Sequence, residues 1–147
     1  MKKTLIIIFS VLILGTILIV WVLRSVPDLN PEHKVVSINF GSYGNPLYLE
    51  SETWGLTNDH SFTILSDRKG DITEDSLRAF LYKQADFLFY RTNADTLWLY
   101  VYKRAPKPTL FKSKIKVVEI ELENPDMIVL KRTHKYNGKE VEEFSAF

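Results

Sequence analysis

The sequence predicts a mainly β fold: one N-terminal membrane-spanning helix followed by an antiparallel β-sandwich or barrel of about eight strands. Three observations predict it. Residues 4–23 form an uninterrupted apolar run without a charge. After Lys34 the chain alternates apolar and polar residues in short runs, separated by clusters of Gly, Pro, Asn and Asp. Two aromatic and β-branched runs, 85–91 and 96–103, flank the polar string Thr92-Asn93-Ala94-Asp95, which has the length of a hairpin turn.

The apolar run, Thr4 to Leu23, is 20 residues long. At a rise of about 1.5 Å per residue a helix of that length covers about 30 Å, the thickness of a bilayer hydrocarbon core. Ile and Val weaken a helix in water. In lipid, however, the backbone has only itself to bond to, so a single spanning segment must be helical. A cleaved signal peptide fits less well, because its apolar core is shorter and ends in a small-x-small site, whereas Leu23 and Pro27 flank the best cut here. Lys2 and Lys3 precede the run and Arg24 follows it, with Asp28 and Glu32 soon after. The positive-inside rule therefore places the N-terminus in the cytoplasm and the C-terminal domain outside, periplasmic or extracellular. Residues 1–24 are expected to be the anchor, 25–34 an extended spacer with two prolines, and 35–147 the outer β-rich domain.

Within that domain, 34–40 alternates through Val36, Ile38 and Phe40, and 47–53 through Leu47 and Leu49, with the turn-rich string Gly41 to Pro46 between them. Ser61 to Ser66 is a third strand, with Phe62 and Ile64 on one side. Asp71 and Glu74 have capping-box spacing, and Leu77, Phe80, Leu81 and Gln84 share a helical face, which predicts a short helix over Thr73 to Lys83. Arg78, Phe80 and Tyr82 also fit one face of a strand, which would make the domain entirely β. The aromatic hairpin follows. Arg104 to Pro108 then stops the strand, since proline cannot donate to a ladder. In Ile115 to Leu122 the apolar phase changes, with Ile115 and Val117 on one face and Val118, Ile120 and Leu122 on the other, as for a bulge or a strand that crosses between sheets. Asn124-Pro125 reads as a turn into a strand over Met127 to Arg132, and Asn137-Gly138 as a tight type I′ turn leading into 140–144.

Composition excludes several function classes. Setting aside Lys2, Lys3 and Arg24, the chain has 16 basic residues against 18 acidic ones, a formal charge of −2, which favours neither nucleic acid nor an acidic substrate globally. The absence of Cys removes disulfides, thiolate nucleophiles and Cys-based zinc sites. His33, His60 and His134 are too scattered for a metal site, and no cofactor motif is present. Gly41-Ser42-Tyr43-Gly44 is one residue short of a nucleophile elbow. Asp59-His60-Ser61 cannot act as a local triad, because successive strand residues point to opposite faces. Asp67, Asp71, Glu74 and Asp75 suit a helix N-terminus better than a cation site.

Two stretches remain as interaction surfaces. Lys103, Arg104, Lys107, Lys112, Lys114 and Lys116 form a basic run without an acid, suited to anionic headgroups or an acidic partner, or to a solvated loop. Trp98, Tyr100 and Tyr102, with Tyr90 across the hairpin, could line a groove or belong to the core. The expectation is a non-enzymatic, membrane-anchored β-rich domain that binds a protein partner in the cell envelope, as an accessory or immunity-like protein does. A sensor of an envelope ligand is the alternative, and a small hydrolase the third reading.

Overall fold

A computed structural model describes residues 13–21, 31–54, 60–70, 77–83, 85 and 87–146. The chain divides into two units, Met1–Asn30 and Pro31–Phe147. In the first, residues 13–21 are helical (α1), and Ile13, Leu14, Ile17, Leu18 and Trp21 are exposed. The rest of the predicted anchor, and residues 25–30 of the predicted spacer, lie outside the described residues. Among the described residues no helix is long and apolar enough to cross a membrane.

The second unit is mainly β, with two four-stranded sheets. Sheet one has the order β1-β2-β3-β4, from Glu32–Ile38, Leu47–Trp54, His60–Ser66 and Phe80–Lys83, all antiparallel. Sheet two has the order β10-β5-β6-β7, from Glu142–Ser145, Phe87–Asn93, Thr96–Val101 and Lys116–Glu121. The two sheets pack as a sandwich. Alternation explains the interior: Ile38, Leu47, Leu49, Leu65 and Phe80 from sheet one meet Leu88, Leu97, Leu99 and Phe144 from sheet two in one buried cluster. The inner face of β2 and β3 then turns polar. Ser51 lies opposite Thr63 and Thr53 opposite Ser61, all buried, with Thr53 Oγ1 donating to the Ala146 carbonyl at 3.4 Å. On the outer face of sheet one the fully buried Glu50 accepts the Gly70 N–H at 2.8 Å, and its other oxygen lies 3.2 Å from His33 Nε2.

The aromatic hairpin forms as expected, with Asn93 paired to Thr96 and a turn at Ala94-Asp95, so Thr92 and Asn93 extend β5. Four other expectations are corrected. Glu32, His33 and Lys34, assigned to the spacer, pair with Thr53, Glu52 and Ser51 and open β1. The helix expected over Thr73 to Lys83 is absent from its C-terminal half: Phe80–Lys83 is β4, with Phe80 and Tyr82 buried between the sheets, while 71–76 lie outside the described residues.

The third correction concerns Met127 to Arg132, which is helix rather than strand: Asn124–Thr133 forms α2. Its ends carry the reasons. Pro125 sits in the first turn, where a missing N–H costs nothing, Asp126 faces the positive end of the dipole and Lys131 and Arg132 the negative end. His134 closes the helix in the left-handed region, its N–H donating to the Leu130 carbonyl at 2.8 Å. Met127 and Leu130, three apart, bury one face against Phe89, Tyr100, Leu122 and Val141 in a second cluster. The Asn137-Gly138 turn is present, with both residues at positive φ as a type I′ turn requires, but it joins the short strands β8 (Lys135–Tyr136) and β9 (Lys139–Glu140).

The fourth correction is direction: β7 runs parallel to β6, so the sandwich is mixed rather than antiparallel. The change of apolar phase in 115–122 follows from burial on both sides and needs no bulge. Ile115 and Val117 face the sandwich interior, whereas Ile120 and Leu122 pack in the cluster that contains α2.

Candidate binding groove

Because β6 and β7 are parallel, the chain must travel back from the end of one to the start of the other. It does so through 102–115, which contain Pro106 and Pro108 and no helix or strand. This strap is held in place at successive points. The Ala105 N–H donates to Glu119 Oε1 at 3.0 Å, and Pro108 is buried. The Leu110 N–H donates to the Leu77 carbonyl at 2.8 Å, and the Phe111 ring packs edge-on against Phe80 with centroids 5.3 Å apart. The Lys112 N–H donates to Asp67 Oδ2 at 2.9 Å, and Lys116 N–H to the Asp95 carbonyl at 2.8 Å.

Between the first part of the strap, β4 and the adjoining ends of β5 and β6 lies a groove of about 740 Å³. Its floor is apolar, from Leu81, Phe87, Leu88, Val101 and Ala105. Lys83, Lys103 and Arg104 also line it, with Tyr82 and Tyr102. The described lining contains no carboxylate, histidine or hydroxymethyl side chain. Tyr102 and Arg104 form a ridge shared with a second hollow that also takes in Glu121 and Glu123.

Glu119 is the residue that shapes this corner. It occupies an inward position on β7, where it accepts hydrogen bonds from the Tyr82 hydroxyl at 2.8 Å and from the Ala105 N–H at 3.0 Å. One carboxylate oxygen thereby ties β4, β7 and the strap together. Burial pushes the Tyr82 pKa well above the usual phenol range, and the Glu119 charge and hydrogen bond push it the same way. Tyr90 is raised for the same reasons, by burial and then by its 2.7 Å hydrogen bond to Glu142. Burial also raises Tyr100, partly offset by the Arg91 charge.

These shifts set an alkaline limit on stability. A folded pKa above the unfolded value of about 10 contributes stability that is complete below pH 10 and is lost as pH climbs above it, because only the unfolded chain can release the proton there. In a spectrophotometric titration, Tyr82, Tyr90 and Tyr100 should ionise above the ordinary phenol range and together with unfolding. Ionisation of these three at the ordinary phenol pH, without unfolding, would contradict these environments.

The sequence-derived surfaces are redistributed. Of the basic run, Lys103 and Arg104 line the groove, Lys112 and Lys114 border a separate hollow near Ser42 and Asn45, and Lys107 and Lys116 are exposed along the rest of the segment. The aromatic row does not form one surface. Tyr100 is 1% exposed, its ring 4.8 Å from that of Tyr136, and Trp98 is half-buried with Arg91 stacked 5.3 Å above it. Tyr90 pairs with Leu99 and belongs to the sandwich interior, so it lies on the opposite face. Only Tyr102, 40% exposed and 5.7 Å from the Phe87 ring, reaches the groove.

The remaining candidates have structural surroundings. His60 stacks on Trp54 at 5.8 Å, His134 caps α2, and Gly41–Tyr43 is a 3-10 turn. Asp59, Asp71, Glu74 and Asp75 lie outside the described residues, and no metal-binding group of His, Asp and Glu occurs among the described ones. Sequence reasoning missed Lys83, Leu81 and Glu119. For Glu119 a signal existed, since it stands in phase with Ile115 and Val117 where an apolar residue is expected. Compared with known protein families, curated proteins and solved structures, the chain matches none.

Proposed function

We propose that this chain is a membrane-anchored, non-enzymatic binding domain, and that the groove beside β4 holds an acidic segment of a protein partner outside the cytoplasm. The observation that carries this reading is one groove with an apolar floor and three cationic side chains, Lys83 at the end of β4 and Lys103 and Arg104 on the strap, whose next residue, Ala105, is fixed by its hydrogen bond to Glu119. An apolar pocket with a few fixed polar groups is the usual form of a binding site. Cationic side chains beside an apolar floor favour anionic partners. Among the described residues neither Lys103 nor Arg104 has a carboxylate within ion-pairing distance. The uncharged run 4–23 supports the anchor, and the basic residues before it support a cytoplasmic N-terminus.

Both halves of the proposal have a direct test. Because the chain has no native Cys, Ser37→Cys, on exposed edge strand β1, supplies a single thiol. An impermeant maleimide should label it in intact spheroplasts, and labelling only after lysis would reverse the orientation. For the groove, the full chain in neutral detergent is titrated with an end-blocked heptapeptide of alternating Glu and Val. Lys103→Glu/Arg104→Glu should weaken binding by about tenfold or more, corresponding to about 1.4 kcal/mol. Lys112→Glu/Lys114→Glu should leave it nearly unchanged. Wild-type binding should fade with salt, since exposed charges act over about 8 Å at physiological ionic strength. The opposite ranking of the two double variants would move the site away from the groove.

A further inference from the structure

We propose that a second site lies where the loop after β1 meets the end of the strap, and that it holds the phosphate monoester of a small polyol. The site shares no residue with the groove, so the inference is independent of the acidic segment proposed above.

Two loops make the walls. Residues 42–46 form one side and 112–114 the other, with Asp67 between them, around a hollow of about 280 Å³. Both walls are anchored in the core, because Phe40 and Leu47 at the ends of the first loop and Ile115 after the second are buried in one cluster. Gly44 lets them approach: a Cβ there would stand 3.1 Å from Ile115 Cδ1, so any larger residue would have to push Ile115 aside. Hydrogen bonds fix the rest. The Tyr43 N–H donates to the Phe40 carbonyl at 3.1 Å, the Lys112 N–H to Asp67 Oδ2 at 2.9 Å, and the Ile115 N–H to Ser113 Oγ at 3.0 Å. The walls therefore hold their shape before a ligand arrives, which lowers the cost of binding.

The lining is rich in donors. Among the described residues neither Lys112 nor Lys114 has a carboxylate within ion-pairing distance. Ser113 Oγ accepts the Ile115 N–H, which leaves its own proton to donate. Ser42 and Asn45 add a hydroxyl and an amide NH2. Two cations and three neutral donors around one hollow suit an anion with several oxygens. A phosphate monoester carries a charge of about −1.5 to −2 at pH 7 and three acceptor oxygens, and so matches the pair of lysines better than a carboxylate does.

Asp67 decides what the phosphate is attached to. It also borders the neighbouring hollow at Arg68 and Leu110, so it stands on the rim between the two. A carboxylate repels a phosphate and accepts from a hydroxyl, so the Asp67 end suits the alcohol part of the ligand. Tyr43, 57% exposed, offers its ring to the carbon skeleton. The volume lies below the range of about 300 to 1,000 Å³ for drug-sized ligands, which favours a molecule as small as glycerol phosphate over a chain segment. The same phosphoglycerol chemistry occurs in the headgroup of phosphatidic acid. There, however, both remaining hydroxyls are acylated and none is left for Asp67, so the free ester is the ligand the site favours.

The test is calorimetric titration of the full chain in neutral detergent with sn-glycerol 3-phosphate, inorganic phosphate and detergent micelles doped with phosphatidic acid. The soluble ester should bind most tightly of the three. Lys112→Gln/Lys114→Gln should weaken it by at least about tenfold, and Lys103→Gln/Arg104→Gln should leave it within about twofold. The melting midpoint of the first variant should not move, since both lysine side chains are exposed. Unchanged binding in Lys112→Gln/Lys114→Gln, an equal loss in both double variants, or no binding of the soluble ester would overturn the site. Tighter binding of inorganic phosphate or of phosphatidic acid would overturn the polyol ester as its ligand. The groove reading is scored separately, by the acidic peptide.

Discussion

Phe144→Ala should lower the free energy of unfolding by about 3 to 5 kcal/mol, the range for removing a fully buried aromatic ring from a packed core. Phe144 is 1% exposed, pairs with Leu88 across β10 and β5, and belongs to the cluster between the sheets. It matters more than an average core ring because β10 is a four-residue strand that, among the described residues, has a neighbour on one side only. The ring is its main apolar tie to the sandwich interior, aided by Ala146 and by the Tyr90–Glu142 hydrogen bond. Small domains are stable by about 5 to 15 kcal/mol, so the loss is a large share of the total. Denaturant titration measures it. A shift below about 1 kcal/mol would mean that β10 does not close the sandwich.

Glu119→Ala should cost about 2 to 3 kcal/mol, because the Tyr82 hydroxyl and the Ala105 N–H both lose their acceptor while partly or wholly shielded from water. The companion variants isolate the cause. Glu119→Gln keeps an acceptor oxygen and should lose about 1 kcal/mol or less. In Tyr82→Phe/Glu119→Ala the hydroxyl left without a partner is gone too, so the double variant should be more stable than the sum of the single losses predicts. Strict additivity would show that the Tyr82–Glu119 bond contributes nothing. Because Glu119 also holds Ala105, the Ala variant should bind the acidic peptide less well than the Gln variant.

Much of the β framework was legible because it depends on period two. The alternation in 34–40, 47–53 and 61–66 placed β1, β2 and β3, and the aromatic runs around Ala94-Asp95 placed β5 and β6. What was misread is what local pattern does not encode. Met127 to Leu130 is rich in residues that favour strands, and its helical nature shows only in the end signals, Pro125 and Asp126 before and Lys131 and Arg132 after, and in the burial of Met127 and Leu130 alone. Strand direction has no local signature either, so the parallel pairing of β7 with β6 was invisible, and with it the strap. The groove joins 81–83, 85 and 87–88 to 101–106, and sequence could register the cations and aromatics without showing that Tyr100 is covered while Tyr102 is not.

The central claim, that an acidic segment docks beside β4, is tested most directly by amide chemical-shift mapping of the isotope-labelled full chain titrated with the Glu/Val heptapeptide. The largest shifts should fall in 81–83, 85, 87–88 and 101–106 and decline with added salt. Shifts centred on 112–116 and 42–45, or on α2, or spread evenly over the surface, would contradict it.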